Sequence, residues 1–248
     1  MSSDQHPSGF NEPTGDQPLR MPIQRRSFFK YAGATAGATA LILAGCSKDV
    51  TVAPAAPVNL GAGDVGVLNL AYALEQLEAA FYAVVMAATG TGLSATETTY
   101  FGEIANHEAI HRDFLKAAIN RDFPGKLLQD LTPNFTNIDF TKRTKLPADT
   151  KLGILDAAKA FEDLGVAAYN GAGMLFKSPA YLLLAGQIVS VEARHAAFIR
   201  DLILPGSFAA DDQIDPTTGL DKALTPVLVL AAVQPYIVQQ LDASSAGV

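Results

Sequence analysis

The sequence predicts an all-α fold: a four-helix bundle with a long crossover between helices 2 and 3 and an extra C-terminal helix. Three observations carry that prediction. Two Glu-x-x-His pairs, Glu108 with His111 and Glu192 with His195, each place a carboxylate and an imidazole on one helical face. Each pair sits in a stripe of helical period, Ile104, Glu108, His111 and Leu115 in one segment and Ile188, Glu192, His195 and Ile199 in the other. Upstream of each pair an apolar stretch carries a Glu followed seven residues later by a Tyr, Glu75 with Tyr82 and Glu162 with Tyr169, a spacing of nearly two turns. The separations of 33 residues (75 to 108) and 30 residues (162 to 192) read as a duplicated helix pair.

Residues 1–46 read as an export signal. Gln24-Arg25-Arg26-Ser27-Phe28-Phe29-Lys30 resembles the twin-arginine motif, and an apolar run from Tyr31 to Gly45 follows it that is too short to span a membrane comfortably. The run ends in Leu43-Ala44-Gly45-Cys46, which looks like a bacterial lipobox. Cys46 is the only cysteine, so no disulfide within the chain can form, and its place after the signal fits an acylated anchor; cleavage nearby without lipid is the alternative. His6 falls in the polar, Pro/Gly-rich extension of the signal.

Residues 47–63, with Pro54, Pro57, Gly61 and Gly63, read as a linker to the bundle at 64–204. The first helix is expected from an Asp64 N-cap to Ala88, stopping at Thr89-Gly90-Thr91-Gly92. The second runs from Ser94, supported by Glu97 as a capping box, to Asn120. Arg121 to Thr150 is a long connection carrying Pro124, Gly125, Pro133 and Pro147, long enough to cross the bundle. Helices three and four are expected from Pro147 to Phe176 and from Ser178 to Leu204. Residues 205–248 read as a loop followed by a packing or dimer-forming helix over Asp221 to Leu241, an apolar segment interrupted by Pro226 and Pro235; a membrane span there is the weaker alternative.

One Glu from each of two helices and a Glu-x-x-His from each of the other two is the ligand set of a di-iron or di-manganese carboxylate site. Carboxylates balance two divalent cations, and imidazole suits iron and manganese without a thiolate. On these positions, over roughly residues 65 to 203, the chain resembles the ferritin-like superfamily, and within it the exported ferritin-like domain proteins of bacteria. The resemblance implies Glu75, Glu108, His111, Glu162, Glu192 and His195 as metal ligands, with Tyr82 and Tyr169 as hydrogen-bond donors to their carboxylates. It implies two divalent ions, iron first, with manganese or a mixed iron/manganese pair as alternatives. Taken alone, one Glu-x-x-His on a helix is usually a solvated surface pair, and a lone Tyr is usually packing; the duplication is what separates this chain from those readings.

Two residues sit awkwardly in the pattern. Glu78 lies three residues after Glu75 on the inward stripe, where the second half has Gly165, so it joins the metals, pairs with a cation or sits near the bundle mouth. His107 points off the ligand stripe and is expected at the boundary, within reach of Glu103 one turn back.

The formal net charge of −7 argues against nucleic-acid binding. Three functional classes follow from the resemblance: an oxidoreductase of the cell envelope whose di-metal centre reacts with oxygen or peroxide (ferroxidase, peroxidase or catalase-like), an iron-binding or storage protein, and a metal-free structural bundle protective under stress. With no Cys-x-x-Cys pair the chain carries no fused rubredoxin-like donor, so peroxide reduction requires an external reductant, whereas disproportionation at a di-manganese centre requires none. A lipid anchor at Cys46 places the protein on a membrane in the periplasm or cell envelope, and a homodimer through the C-terminal helix is a further expectation.

Overall fold

Helix formation follows the apolar period of the sequence, and a few polar side chains and prolines set the ends. The structure, a computed structural model, describes residues 56–248. Arg25, Arg26 and Cys46, with the export signal and lipid anchor read on them, lie outside the described residues, as do His6 and the first part of the linker. The chain belongs to the all-α class, with α1 over Gly63–Ala87, α2 over Ala95–Asp122, α3 over Ile154–Gly173, α4 over Pro179–Ile203 and α5 over Pro226–Val233. Short connections fold α1 onto α2 and α3 onto α4 as two helical hairpins, and α1 against α3 joins the hairpins.

The cap of α2 forms as the sequence predicts: Glu97 N–H donates to Ser94 Oγ at 3.2 Å, and Ser94 N–H donates to Glu97 Oε2 at 2.8 Å. Asp64 does a different job from the one expected. Helix α1 begins at Gly63 with Ala62 in the capping position, and the Asp64 carboxylate instead accepts from the backbone N–H groups of Lys177 and Ser178, at 2.7 and 3.0 Å. It thereby ties the start of α1 to the turn between α3 and α4.

Helix α3 starts at Ile154, seven residues later than Pro147, the start expected from the sequence. The N–H groups that a helix begun at Pro147 would need in its second turn are committed elsewhere, since Leu152 N–H donates to Asn137 O, Ile154 N–H to Lys142 O and Leu155 N–H to Arg143 O. The crossover over 123–153 is fixed from below by Asn69, a buried residue of α1 whose amide bonds Leu60 O, Lys126 O and Leu128 N–H at 2.8 to 2.9 Å. It also delivers Phe135 and Phe140 onto Phe81, which meets Phe161 edge-on with ring centres 5.1 Å apart. Each such ring taken from water contributes about 1.5–3 kcal/mol, so this cluster holds the crossover across the two hairpins.

The C-terminal segment holds a much shorter helix than the apolar run over Asp221 to Leu241 suggested. Pro226 opens α5 and Pro235 closes it into a 3-10 turn over Gln234–Tyr236, because proline fits a first turn but supplies no N–H to continue one. Eight residues are too few to cross a membrane. The segment docks on α3 where that helix is bare: Leu224 N–H donates to Ala167 O at 2.9 Å, and a β-carbon on Gly171 would stand 1.8 Å from the Leu224 carbonyl oxygen. Beyond the turn, β2 (Leu241–Asp242) pairs in parallel with β1 (Val58–Asn59), so the end of the region read as a linker is built into the domain.

By length and composition α1 and α4 would pass as membrane spans. Each, however, carries buried carboxylates, Glu75 and Glu78 on α1 and Glu192 on α4. That placement belongs to a bundle core.

Candidate metal centre

Four helices bring one acidic and imidazole cluster to the middle of the bundle. Helix α1 supplies Glu75 and Glu78, α2 supplies Glu108 and His111, α3 supplies Glu162, and α4 supplies Glu192 and His195. Glu75, Glu108, Glu162 and Glu192 are fully buried, Glu78 and His195 nearly so, and His111 stays partly open to solvent. Within each helix the i, i+3 step of Glu-x-x-His turns both side chains inward.

His111 Nδ1 lies 3.0 Å from Glu192 Oε1, 3.5 Å from Glu75 Oε2 and 3.6 Å from Glu108 Oε2. His195 Nδ1 lies 2.9 Å from Glu108 Oε1 and 3.3 Å from Glu162 Oε2. Short as these separations are, they are not aligned hydrogen bonds. Both ring nitrogens, both oxygens of Glu108 and Glu192, and Oε2 of Glu75, Glu78 and Glu162 are buried without a hydrogen-bond partner. Buried polar atoms are rarely left unpaired, and here they converge on one another.

The same atoms form two overlapping groups that could hold a metal ion. One comprises Glu75, Glu108, His111 and Glu192, the other Glu108, Glu162, Glu192 and His195, and within each the ligand atoms lie within 4.8 Å of one another. Glu108 and Glu192 belong to both. The donor set of carboxylate oxygen and imidazole nitrogen, with no thiolate, fits iron or manganese.

The outer oxygens are held crosswise. Tyr169 on α3 donates to Glu75 Oε1 on α1 at 2.5 Å, and Tyr82 on α1 donates to Glu162 Oε1 on α3. Burial first, and the carboxylates second, push both phenols well above their usual range, so they stay protonated donors.

Burial also pushes Glu75 up to about 7 and raises Glu162, and together with the neighbouring carboxylates it lifts Glu78 and Glu192 well above the carboxylate range. Glu108 goes the other way: burial would raise it, but His111 and His195 on either side hold it down at about 2. For the imidazoles burial opposes charge, yet the facing carboxylates win and carry His111 up to about 12 and His195 up to about 10.

A family model described as the ferritin-like domain matches residues 63–205, more than half of the chain. The chain belongs to the ferritin-like domain family. No curated protein matches it. The match covers all four long helices and every member of the acidic and imidazole cluster. Membership in the ferritin-like family agrees with the four-helix bundle; the chemistry of its buried cluster has to be argued from the residues themselves.

The sequence leaves Glu78 open and places His107 at the boundary without identifying its partner. Glu78 is buried, has no cation partner among the described residues and stands outside both four-residue groups. Its room comes from Gly165, where a β-carbon would lie 3.1 Å from Glu78 Oε1 and 3.4 Å from Glu192 Oε2. The two departures from the internal repeat, an extra Glu and a missing side chain, are therefore one feature. His107 does sit at the solvent boundary, but its Nδ1 lies 2.9 Å from His195 Nε2, not against Glu103. Its i, i+4 spacing to His111 keeps both on one side of α2 but names no partner on α4.

Proposed function

We propose that this ferritin-like protein holds two divalent metal ions, iron first and manganese as the alternative, and acts as an oxidoreductase on oxygen or peroxide. The observation that carries this reading is the set of buried, partnerless ligand atoms, arranged so that Glu108 and Glu192 serve both halves. Glu75 and His111 would complete the site of one ion, and Glu162 and His195 that of the other.

Energetics separate this reading from a metal-free bundle. The cluster sets five buried carboxyl groups against two imidazoles, and without metal it stays buried only by holding protons, since burial raises Glu75, Glu78, Glu162 and Glu192. A purely structural core would be more stable with apolar residues at these positions. Two redox-active ions held together supply the electrons that reduce oxygen or peroxide. The chain's part is to orient and to exclude: Tyr82 and Tyr169 fix the outer carboxylates, and buried Phe101, Ile104 and Ile188 help keep bulk water out.

Mixing anaerobically iron-loaded protein with oxygen or peroxide tests the reading. Wild type should consume the oxidant in proportion to its metal, and Glu162→Ala should abolish consumption. No consumption by iron-loaded or manganese-loaded wild type would remove the redox assignment.

The place of action is proposed from Arg25, Arg26 and Cys46: export by the twin-arginine route and lipid anchoring in the cell envelope. Arg25→Lys with Arg26→Lys should block export, and Cys46→Ser should permit export but release the protein from the membrane fraction. A Cys46→Ser protein still sedimenting with membranes would refute the lipid anchor.

A further inference from the structure

We propose that His107 is a positioning residue that accepts from the Nε2–H of His195 and so keeps its Nδ1 aimed into the cluster as the nitrogen left for a metal ion, making the two halves of the centre unequal as metal sites. This rests on the metal-binding reading above.

An imidazole ligates through a nitrogen that carries no proton, so its other nitrogen carries the proton and needs an acceptor. The inward nitrogen of His195 is Nδ1, which faces Glu108 and Glu162. The outward nitrogen, Nε2, meets His107 Nδ1 at 2.9 Å. The two ring planes differ by only 9° and their centres are 5.2 Å apart. That separation matches the nitrogen-to-nitrogen distance plus one ring radius at each end, so the rings meet edge to edge in nearly one plane rather than face to face. In that arrangement the in-plane N–H of His195 points along the in-plane lone pair of His107, the alignment a hydrogen bond prefers. In the metal-bound state the tautomer this assigns has the proton of His195 on Nε2, donated to His107, and the proton of His107 on its own Nε2.

The internal repeat supplies the control. His107 immediately precedes Glu108, and the residue immediately preceding Glu192 is Val191, which can accept nothing from His111. Among the described residues no group hydrogen-bonds the outer nitrogen of His111, whose side chain remains partly exposed. One imidazole of the pair is thus locked by a neighbour and the other is not.

The test is a titration of metal-free protein with cobalt(II) against a competing chelator, with helical content followed by circular dichroism. Wild type should bind in two unequal steps, which His111→Ala and His195→Ala assign to the two halves. His107→Phe, which keeps the ring and removes the acceptor, should weaken the His195-dependent step about 10–100-fold and leave the other unchanged. His107→Asn, whose amide oxygen can accept near the position of Nδ1, should recover most of that loss. In zinc-loaded protein with 15N-labelled histidine, the His195 Nε2–H should exchange slowly in wild type and rapidly in His107→Phe. Wild type that takes up metal while His107→Phe leaves both steps and the exchange rate unchanged overturns this inference alone. Wild type that takes up no metal overturns it together with the function on which it rests.

Discussion

Glu78 on α1 fills the space that Gly165 on α3 leaves empty: a β-carbon on Gly165 would stand 3.1 Å from Glu78 Oε1. An internal repeat with equal halves would put carboxylates at both positions, and there is room for one. The inequality therefore lies in the packing of the cluster as well as in its sequence.

Gly165→Ala sets two effects against each other. Alanine gains about 1 kcal/mol of helix propensity over glycine, while its β-carbon must push aside Glu78 or Glu192. The clash should win in the native background, giving a variant that binds metal more weakly and gains no stability. In a Glu78→Ala background the same change should stabilise. Denaturant unfolding of the four proteins should give a coupling energy above about 0.5 kcal/mol, and additive effects would dissociate the two residues.

Tyr82→Phe and Tyr169→Phe each leave one buried carboxylate oxygen without its donor, on Glu162 and Glu75 respectively. Each should cost about 1–3 kcal/mol in thermal or denaturant unfolding. Because the two contacts are related by the internal repeat, the costs should be similar. A loss below about 0.5 kcal/mol in both would mean that the hydroxyls do not hold the carboxylates.

Stability of the metal-free protein should fall as pH rises. Burial raises Glu75 from 4.5 to about 7 and raises Glu78, Glu162 and Glu192, so these carboxyls favour the fold below 4.5 and progressively cease to as pH climbs through their folded values. Burial opposes protonation of His111 and His195, but the facing carboxylates outweigh it and lift them from 6.5 to about 12 and about 10. Their contribution is complete below 6.5 and lost toward those higher values. Both sets run in one direction between about pH 5 and pH 10, since the folded state binds more protons than the unfolded chain throughout. Glu108, held at about 2, favours the folded state above 4.5 and acts only below this window. Metal should flatten the dependence by replacing the protons, and its uptake should release them. Melting temperatures of metal-free protein that stay level or rise from pH 5 to 9 would contradict this.

How much of the centre was legible in the sequence depended on the distance over which a signal had to act. The i, i+3 step of Glu108 with His111 and of Glu192 with His195 is a property of a single helix, and period alone turns both side chains to one face. The Ser94 and Glu97 cap is equally local. The pairing of Tyr82 with Glu162, or of His107 with His195 across 88 residues, depends on how the two hairpins lie together, and nothing within α1 or α2 specifies it. The start of α3 was misplaced for a related reason. Pro147 is a fair first-turn residue, but the N–H groups of Leu152, Ile154 and Leu155, which a helix begun there would use in its next turn, donate to Asn137, Lys142 and Arg143. Asp64 likewise has the chemistry of a cap, and only the folded chain shows that it serves the turn before α4 rather than its own helix.

The central claim is that the buried cluster of Glu75, Glu108, His111, Glu162, Glu192 and His195 is a two-ion site. Elemental analysis of the folded protein after loading with ferrous or manganous ion and removal of excess tests it most directly, with His111→Ala and His195→Ala measured alongside. Wild type should carry about two ions per chain, as such a ligand set requires, and each variant should carry fewer while remaining helical. Wild type without bound metal, or metal content unchanged in both variants, would contradict it.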